Sequence, residues 1–415
     1  MLTTFPRAAV VSRRSERPGA RVGAPCAVVE RHRPIGSAMA NDKGDEAVRR
    51  RSWGWCLAAI AAAVMVAIGL AGCGDDDDGS ADTAGAGSAE ITLRLGYVTA
   101  PEHPYGIAVD HFVSEVEKAS SGAIAIEALP NYQGGDVPLL QDARGGAVDM
   151  ASVSSAVWGT QGVTSFDALQ ALGLITRYDL EREVIAGPIG QKMLAGVDAV
   201  GLKGLAIHEG GLRKPLGATK ALTNVADFKG LKIRTPESSV LELGIRALGA
   251  DPTAIPFPDT YAALRDGTVD GMEANLGLIQ TVKYYEVADF LTPNVNLWPF
   301  PTVLVMNQSK FDALSADQQK IITDAAAAIP GFSIDFFEQP SDVVTTLCSE
   351  GLKFVVASDQ DLASFTAAST RAQAQLGSQD AATKDFITQI QALKEGLPAP
   401  PAPAPLPEGC AVTPK

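Results

Sequence analysis

The chain has 415 residues, 46% of them hydrophobic and 20% charged, with a formal net charge of −14; it can bury two or more packed domains and is too apolar for general disorder. Residues 1–72 hold 11 of the 34 Lys+Arg and 5 of the 48 Asp+Glu, so residues 73–415 carry 23 against 43, a net of −20. Such a body repels phosphate backbones, which argues against nucleic acid as a partner, and an anionic small ligand needs a local cationic pocket working against the overall field. Five cysteines without a CxxC pair and four scattered His without HExxH give no zinc or dithiol signature, and no cofactor or metal is expected.

Residues 1–38 are rich in Arg, Pro and Gly and show no apolar period. Met39 opens a second arrangement and is read as the true start. Arg49, Arg50 and Arg51 form a positive segment, and Trp53 to Leu70 is an uncharged apolar run. Leu70-Ala71-Gly72-Cys73 and four aspartates, Asp75 to Asp78, come next. Small residues ahead of a processing site are the secretory pattern, and this run matches a bacterial lipoprotein signal in which Cys73 takes a thioether-linked diacylglycerol. The alternative is an uncleaved anchor, since the run is near the ~20 residues that a membrane span needs. Residues 73–90 have almost nothing to bury and read as a flexible tether of ~20–25 Å.

Ile91 to Val98 reads as a strand. Tyr105 to Ala119 then has apolar residues at Ile107, Val109, Phe112, Val113 and Val116, a helical spacing. Ala123 to Leu129 is a strand, Leu139 to Arg144 a short helix stopped by Gly145-Gly146, and Ala147 to Val153 another strand. This alternation implies a parallel sheet with helices on its faces. Arg144-Gly145-Gly146-Ala147-Val148-Asp149 is echoed by Arg265-Asp266-Gly267-Thr268-Val269-Asp270, which points to two lobes of like design unless it is only a common helix-to-strand junction. Leu314 to Gly351 is helical in period, with Ser315 as its N-cap, and Pro330-Gly331 and Pro340 are expected to kink or divide it. It reads as a strut across both lobes. Residues 398–407 (PAPPAPAPLP) form an extended tail. Cys348 and Cys410 are the only cysteines after Cys73 and are expected to pair in an oxidising compartment, closing a loop of ~60 residues worth about 3–4 kcal/mol.

The stretch with most chemistry runs from Gly230 to Asn275. Arg234 lies at the carboxyl end of a strand, Leu231 to Thr235, where open α/β sheets hold ligands. A guanidinium there can grip a carboxylate with two parallel charge-assisted bonds; the alternative is an ordinary arginine paired with a neighbouring acid.

These residues resemble the signature of the solute-binding proteins of TRAP transporters, the DctP-like dicarboxylate-binding family. The pattern G-x-K-(I/L)-R-(V/T)-P falls on Gly230 to Pro236, A-L-G-A-x-P-T on Ala247 to Thr253, and P-F-x-x-x-Y-x-A-L-x-x-G-x-V-D-G-x-E on Pro256 to Glu273. Leu95 to Phe112 is similar to the family's opening strand and helix, and the likeness covers residues 91–395. The resemblance implies an α/β, two-lobed periplasmic-binding-protein-like fold with a hinge, a ligand cleft and a long helix crossing both lobes. Lobe I is expected at 91–210 and 299–338, lobe II at 211–298 and 339–397, and a Pro-rich tail at 398–415. By the same resemblance Arg234 binds the substrate carboxylate, and Arg213, in Gly211-Leu212-Arg213, is a second cation; a hinge salt bridge is the other reading for it.

The sequence departs from the family at one point. The family's D-G-Q-E-N-P is here Asp270-Gly271-Met272-Glu273-Ala274-Asn275, so Ala274 stands where a ligand-touching asparagine is usual. Either Asn275 substitutes by a local shift or the bond is lost, and with Met272 this points to a less polar or larger ligand than a short dicarboxylate. Further candidates are Glu273, Trp158, Ser154 or Ser155, His103, Tyr105, Phe257 and Tyr261, with Asp259 as an N-cap; for the aromatics core packing is the alternative. The expected function is a non-enzymatic receptor, tethered to a membrane through an N-terminal lipid. It captures a small organic acid and passes it to TRAP transporter membrane subunits. The alternatives are a ligand-sensing or ABC-importer binding lipoprotein, or an extracytoplasmic hydrolase, although no G-x-S-x-G elbow is present.

Overall fold

The computed structural model describes residues 89–338, 342–399 and 405–412. The leader, Cys73, nearly all of the tether and the expected break at Pro340 lie outside the described residues. Among those described, no helix is long and apolar enough to cross a membrane.

The strands are β1 (Ile91–Tyr97), β2 (Ile124–Leu129), β3 (Met150–Ser154), β4 (Leu202–His208), β5 (Lys214–Gly217), β6 (Lys232–Thr235), β7 (Asp251–Ala254), β8 (Gly271–Ala274), β9 (Phe290–Leu291), β10 (Thr302–Asn307) and β11 (Lys353–Phe354). They form two sheets, ordered β2-β1-β3-β10-β4 and β11-β9-β5-β8-β6-β7. In each sheet a parallel core is joined by a returning antiparallel strand: β10 lies between β3 and β4, and β5 lies against β8. β1 shows why the first sheet packs. Leu93, Leu95 and Tyr97 are buried while Arg94 is exposed, and the helix Pro104–Ala119 covers that face with Ala108, Val109, Phe112 and Val116. Burying Phe112 alone contributes about 2–3 kcal/mol.

The sequence echo is structural. Gly146 and Gly267 both take left-handed φ values, 77° and 67°, which a side chain would strain. Three residues later Asp149 accepts from the Arg94 N–H at 2.8 Å and Asp270 from the Lys232 N–H at 2.8 Å. Each aspartate also donates its own N–H back to the same residue, at 3.1 and 2.8 Å. The same clamp therefore ties a helix-to-strand turn to β1 in one sheet and to β6 in the other.

The chain passes between the sheets at Glu209–Arg213 and returns at Thr292–Pro301. These two segments pair, with Arg213 N–H donating to Trp298 O and Leu297 N–H to Arg213 O, both at 2.8 Å. A third passage follows the helix Ala316–Glu338, which packs Ile322, Ala325, Ala326 and Ile329 on the first sheet's core. Ser315 caps it reciprocally with Gln318: the Gln318 N–H donates to Ser315 Oγ (3.2 Å) and the Ser315 N–H to Gln318 Oε1 (2.9 Å). Pro330-Gly331 does not divide the helix. The helix runs through Pro330; the proline removes one backbone donor, and buried Ile329 and Ile334 on either side hold the helical course.

The last two helices pack on different cores. In the helix Asp359–Gly377, Phe365, Ala368 and Ala372 join the core beside the second sheet. Leu376, Phe386, Ile387 and Ile390, the last three from the helix Ala381–Gly396, join the first sheet's core instead. Chain order does not reveal which sheet offers those side chains the larger apolar surface. Beyond this helix Pro398 O accepts from Arg177 Nη1 at 2.7 Å. Cys410 is bonded to Cys348 with Cα atoms 5.5 Å apart, and Val412 N–H donates to Phe354 O at 2.9 Å.

Candidate ligand-binding cleft

Arg234 projects from β6 and is 2% exposed. Its Nε and Nη2 donate to Ile255 O at 3.0 and 2.8 Å, which fixes the plane of the guanidinium. Burial lowers its pKa from the ordinary value, opposed by Tyr284 and Glu273. Arg213 comes from the crossing segment, stacks on Phe300 with its Cζ 4.0 Å from the ring centre, and places Nε 3.0 Å from Glu273 Oε2. This pair is buried and lacks hydrogen-bond alignment on either side. Burial pushes the Glu273 carboxyl up, while Arg213 and then Arg234 pull it down.

The first lobe answers with Asp136 at the start of the helix Asp136–Gly145, whose Oδ1 accepts the Ser154 N–H at 2.8 Å. Burial pushes Asp136 up to about 6, against the Ser154 hydrogen bond and the charge of Arg234. His103 caps the helix Pro104–Ala119 by accepting the Tyr105 N–H at Nδ1, 3.1 Å. Burial pushes its pKa down to about 3, with Arg213 adding to the effect. The ring is therefore neutral near pH 7, and because Nδ1 is the acceptor its proton sits on Nε2.

Between the lobes lies a cavity of about 280 Å³, lined by Thr99, His103 and Asn131 on one side and by Phe257, Tyr261 and Tyr284 on the other. Thr99 Oγ1 and His103 Nε2 are buried without a hydrogen-bond partner; the Tyr284 hydroxyl pairs with the side chain of Thr260, which itself donates to Pro256 O at 3.3 Å. Tyr284 feels both guanidinium groups, Arg234 more strongly. Ser155 Oγ and Thr235 Oγ1 are buried and unpartnered as well, whereas the Trp298 indole is directed at the Glu273 carboxylate. Folded proteins leave few buried polar atoms unsatisfied; the first lobe's Trp158 Nε1, Gln170 Nε2 and Glu181 carboxylate are unpartnered too. Among the described residues no cluster of His, Cys, Asp and Glu could hold a metal ion.

Of the residues singled out from sequence, Phe257 lines the cavity, joined by His103 and Tyr261, while Arg213, Arg234 and Glu273 form a buried charged group whose field acts on Tyr284. The others are occupied. The Asn275 amide is engaged within the protein: its Oδ1 caps the helix Leu276–Thr281 by accepting the Leu278 N–H (2.7 Å) and its Nδ2 donates to Gly210 O (2.5 Å). Ser154 Oγ accepts the Ala156 N–H (3.2 Å). The Tyr105 hydroxyl donates to Phe300 O (2.6 Å), and the ring fills the space a side chain on Gly210 would need. Trp158 is fully buried in the first lobe's core, 5.5 Å from Phe166 between ring centres. Asp259 makes no cap, because the 3-10 turn Phe257–Asp259 already carries it into helical geometry. Thr99, Asp136 and Tyr284 were missed. Thr99 follows a strand's carboxyl end and was open to that reasoning; Tyr284 had no local signal.

The family described as bacterial extracellular solute-binding protein, family 7 (DctP) matches residues 95–380. The C4-dicarboxylate-binding periplasmic protein DctP of Rhodobacter capsulatus is 33% identical over 238 residues, 57% of this chain and 71% of that one. A solute-binding protein of Verminephrobacter eiseniae (strain EF01-2) is 31% identical over 296 residues, 70% of this chain and 87% of that one. The sugar acid binding protein DctPAm from Advenella mimigardefordensis, solved in complex with galactonate, matches with a TM-score of 0.69 at 28% identity, covering 75% of this chain and 99% of that chain. The chain belongs to family 7 of the bacterial extracellular solute-binding proteins and has their two-lobed α/β fold.

Proposed function

We propose that this protein is the receptor of a TRAP transporter: it captures a small organic acid between its lobes, performs no reaction on it, and delivers it to the membrane subunits. The observation that carries this reading is the buried guanidinium of Arg234, carried by β6 and fixed by two hydrogen bonds to Ile255 O. A carboxylate entering a closed, water-poor cleft would meet a preoriented cation, where charge-assisted bonds are strongest. The relatives named for C4-dicarboxylates and galactonate support an acid as the ligand class. Cys73 with its lipid, followed by residues 74–90, would hold the receptor beside its transporter.

Calorimetry with a cognate acid tests the reading. Arg234→Ala should weaken binding at least a thousandfold, about 4 kcal/mol, while the unliganded protein still unfolds cooperatively. Affinity within threefold of wild type in that variant would refute it.

A further inference from the structure

Away from the small cavity, two buried carboxyl groups face each other with no cation bound to either. Glu181 lies on the helix Tyr178–Ile185, whose Leu180, Val184 and Ile185 belong to the first lobe's core. Glu209 stands where the chain leaves β4 to cross between the sheets. Both are 0% exposed. The helix turns one face to the crossing segment: the Leu212 N–H donates to the Tyr178 hydroxyl at 3.3 Å, and Glu181, one turn further on, hydrogen-bonds side chain to side chain with Glu209. Glu209 Oε1 accepts the Gly211 N–H at 2.5 Å. Among the described residues no N–H, other hydroxyl or cation reaches either Glu181 oxygen or Glu209 Oε2, so the bond between the two carboxyl groups needs a proton of its own.

The surrounding charged and titratable groups do not neutralise the pair. Arg213, on the crossing segment, pulls on Glu209 through its field, but its guanidinium faces Glu273 at 3.0 Å. Arg182, beside Glu181 in the chain, is bonded to Asp335 and Glu338 of the long helix, and Arg177 to Asp179. His208 is neutral near pH 7, because burial pushes it down to about 3. Burial pushes the Tyr178 and Tyr105 hydroxyls up, so they stay neutral as well. From the long helix Ser333 offers only its hydroxyl, which accepts the Glu209 N–H at 3.0 Å. On the helices Pro188–Leu194 and Ala381–Gly396, Lys192, Lys384, Asp385 and Glu395 are exposed, and Lys394 is bonded to Gly173 O and Leu174 O. Two bare carboxylates side by side in such a place would repel each other and lose their hydration together. Burial, then the charge of Glu209, push the Glu181 carboxyl well above the ordinary range; Glu209, pushed up by burial, is drawn back down first by the hydrogen bond from Glu181. We propose that Glu181 and Glu209 share one proton and so form a latch, which ties the crossing segment to the first lobe near neutral pH and releases it as the solution turns alkaline.

The sign of the effect follows from linkage. A carboxyl whose pKa is raised on folding adds stability that is complete below its unfolded value of ~4.3 and is lost as pH rises toward the folded one. Glu181→Gln keeps a donor toward Glu209 and cannot titrate. In urea unfolding of the full chain, the wild-type unfolding constant should therefore rise relative to that of the variant by up to about tenfold per pH unit, and by at least about thirtyfold between pH 5 and 8. A ratio constant within threefold over that range overturns the proposal. Hydrogen exchange reads the release itself. Between pH 7 and 9, after correction for the intrinsic rate, the Gly211 and Leu212 amides should lose at least tenfold in protection in wild type and less than twofold in Glu181→Gln; equal losses in both proteins overturn the latch. If the variant does not fold, wild type labelled with carboxyl-13C glutamate decides by infrared spectroscopy at pH 7.5. A protonated-carboxyl C=O stretch that moves with the label supports the shared proton, since Glu273 faces Arg213, and its absence overturns it.

Discussion

Two hollows in this molecule differ about fivefold in size and oppositely in chemistry. The larger, an open groove of about 1490 Å³, is bordered by Arg177, Lys214, Asn275, Phe336 and Gln373. Its polar groups are already matched: Arg177 to Asp179, Lys214 to Asn296, Asn275 to Gly210 and Leu278, Gln373 to Leu172 O. The smaller cavity, about 280 Å³, is bordered by Thr99 and His103, whose hydroxyl and Nε2 are buried without partners. A buried polar atom without a partner costs about 1–3 kcal/mol, so it persists where a ligand completes it.

Three experiments sharpen or break that contrast. The largest effect is expected at Glu273. Glu273→Gln leaves buried Arg213 without its counter-charge, which should lower the stability of the unliganded protein by about 3–5 kcal/mol. An anionic ligand should restore part of this, so the ligand-induced rise in Tm should exceed that of wild type; an unchanged or smaller rise would mean that Arg213 is isolated from the site. The next compares two buried imidazoles. His208 contacts Ser152 Oγ and Thr302 Oγ1 at 2.8 and 2.7 Å through Nε2, and burial pushes its pKa down to about 3. A base depressed in the folded state adds stability that is fully present above its unfolded pKa of ~6.5 and is lost as pH falls toward 3, at about 1.4 kcal/mol per unit. His208→Gln should flatten the loss of unfolding free energy between pH 6.5 and 4 without changing affinity at pH 7.5, whereas His103→Asn changes affinity. The smallest effect belongs to the groove: Phe336→Ser should leave affinity within twofold, and a tenfold loss would move the site there.

Much of this was legible in sequence where the physics is local. The glycine turns at Gly146 and Gly267, the Ser315 cap and the strand carrying Arg234 each depend on a few neighbouring residues. The two-lobed reading followed from the echo and from the long central motif. What stayed hidden depends on the meeting of distant segments. Tyr284 and His103, 181 positions apart in the chain, become neighbours of one cavity only after both lobes fold. Asn275 looked like a displaced ligand group, yet its amide clasps Gly210 across 65 residues. Pro330 looked like a stop because propensity ignores the apolar surface on either side of it.

The Cys348–Cys410 bond has a consequence for biosynthesis. Its partners are 62 residues apart, so the staple cannot form until nearly the whole chain has been synthesised and has met an oxidant. Protein made in a reducing cytosol would carry both thiols free, with residues 406–412 held by the packing of Leu406 and Cys410 and by backbone hydrogen bonds to Phe354. Material for measurement should accordingly be matured through secretion or oxidised in vitro before its melting behaviour is compared between preparations.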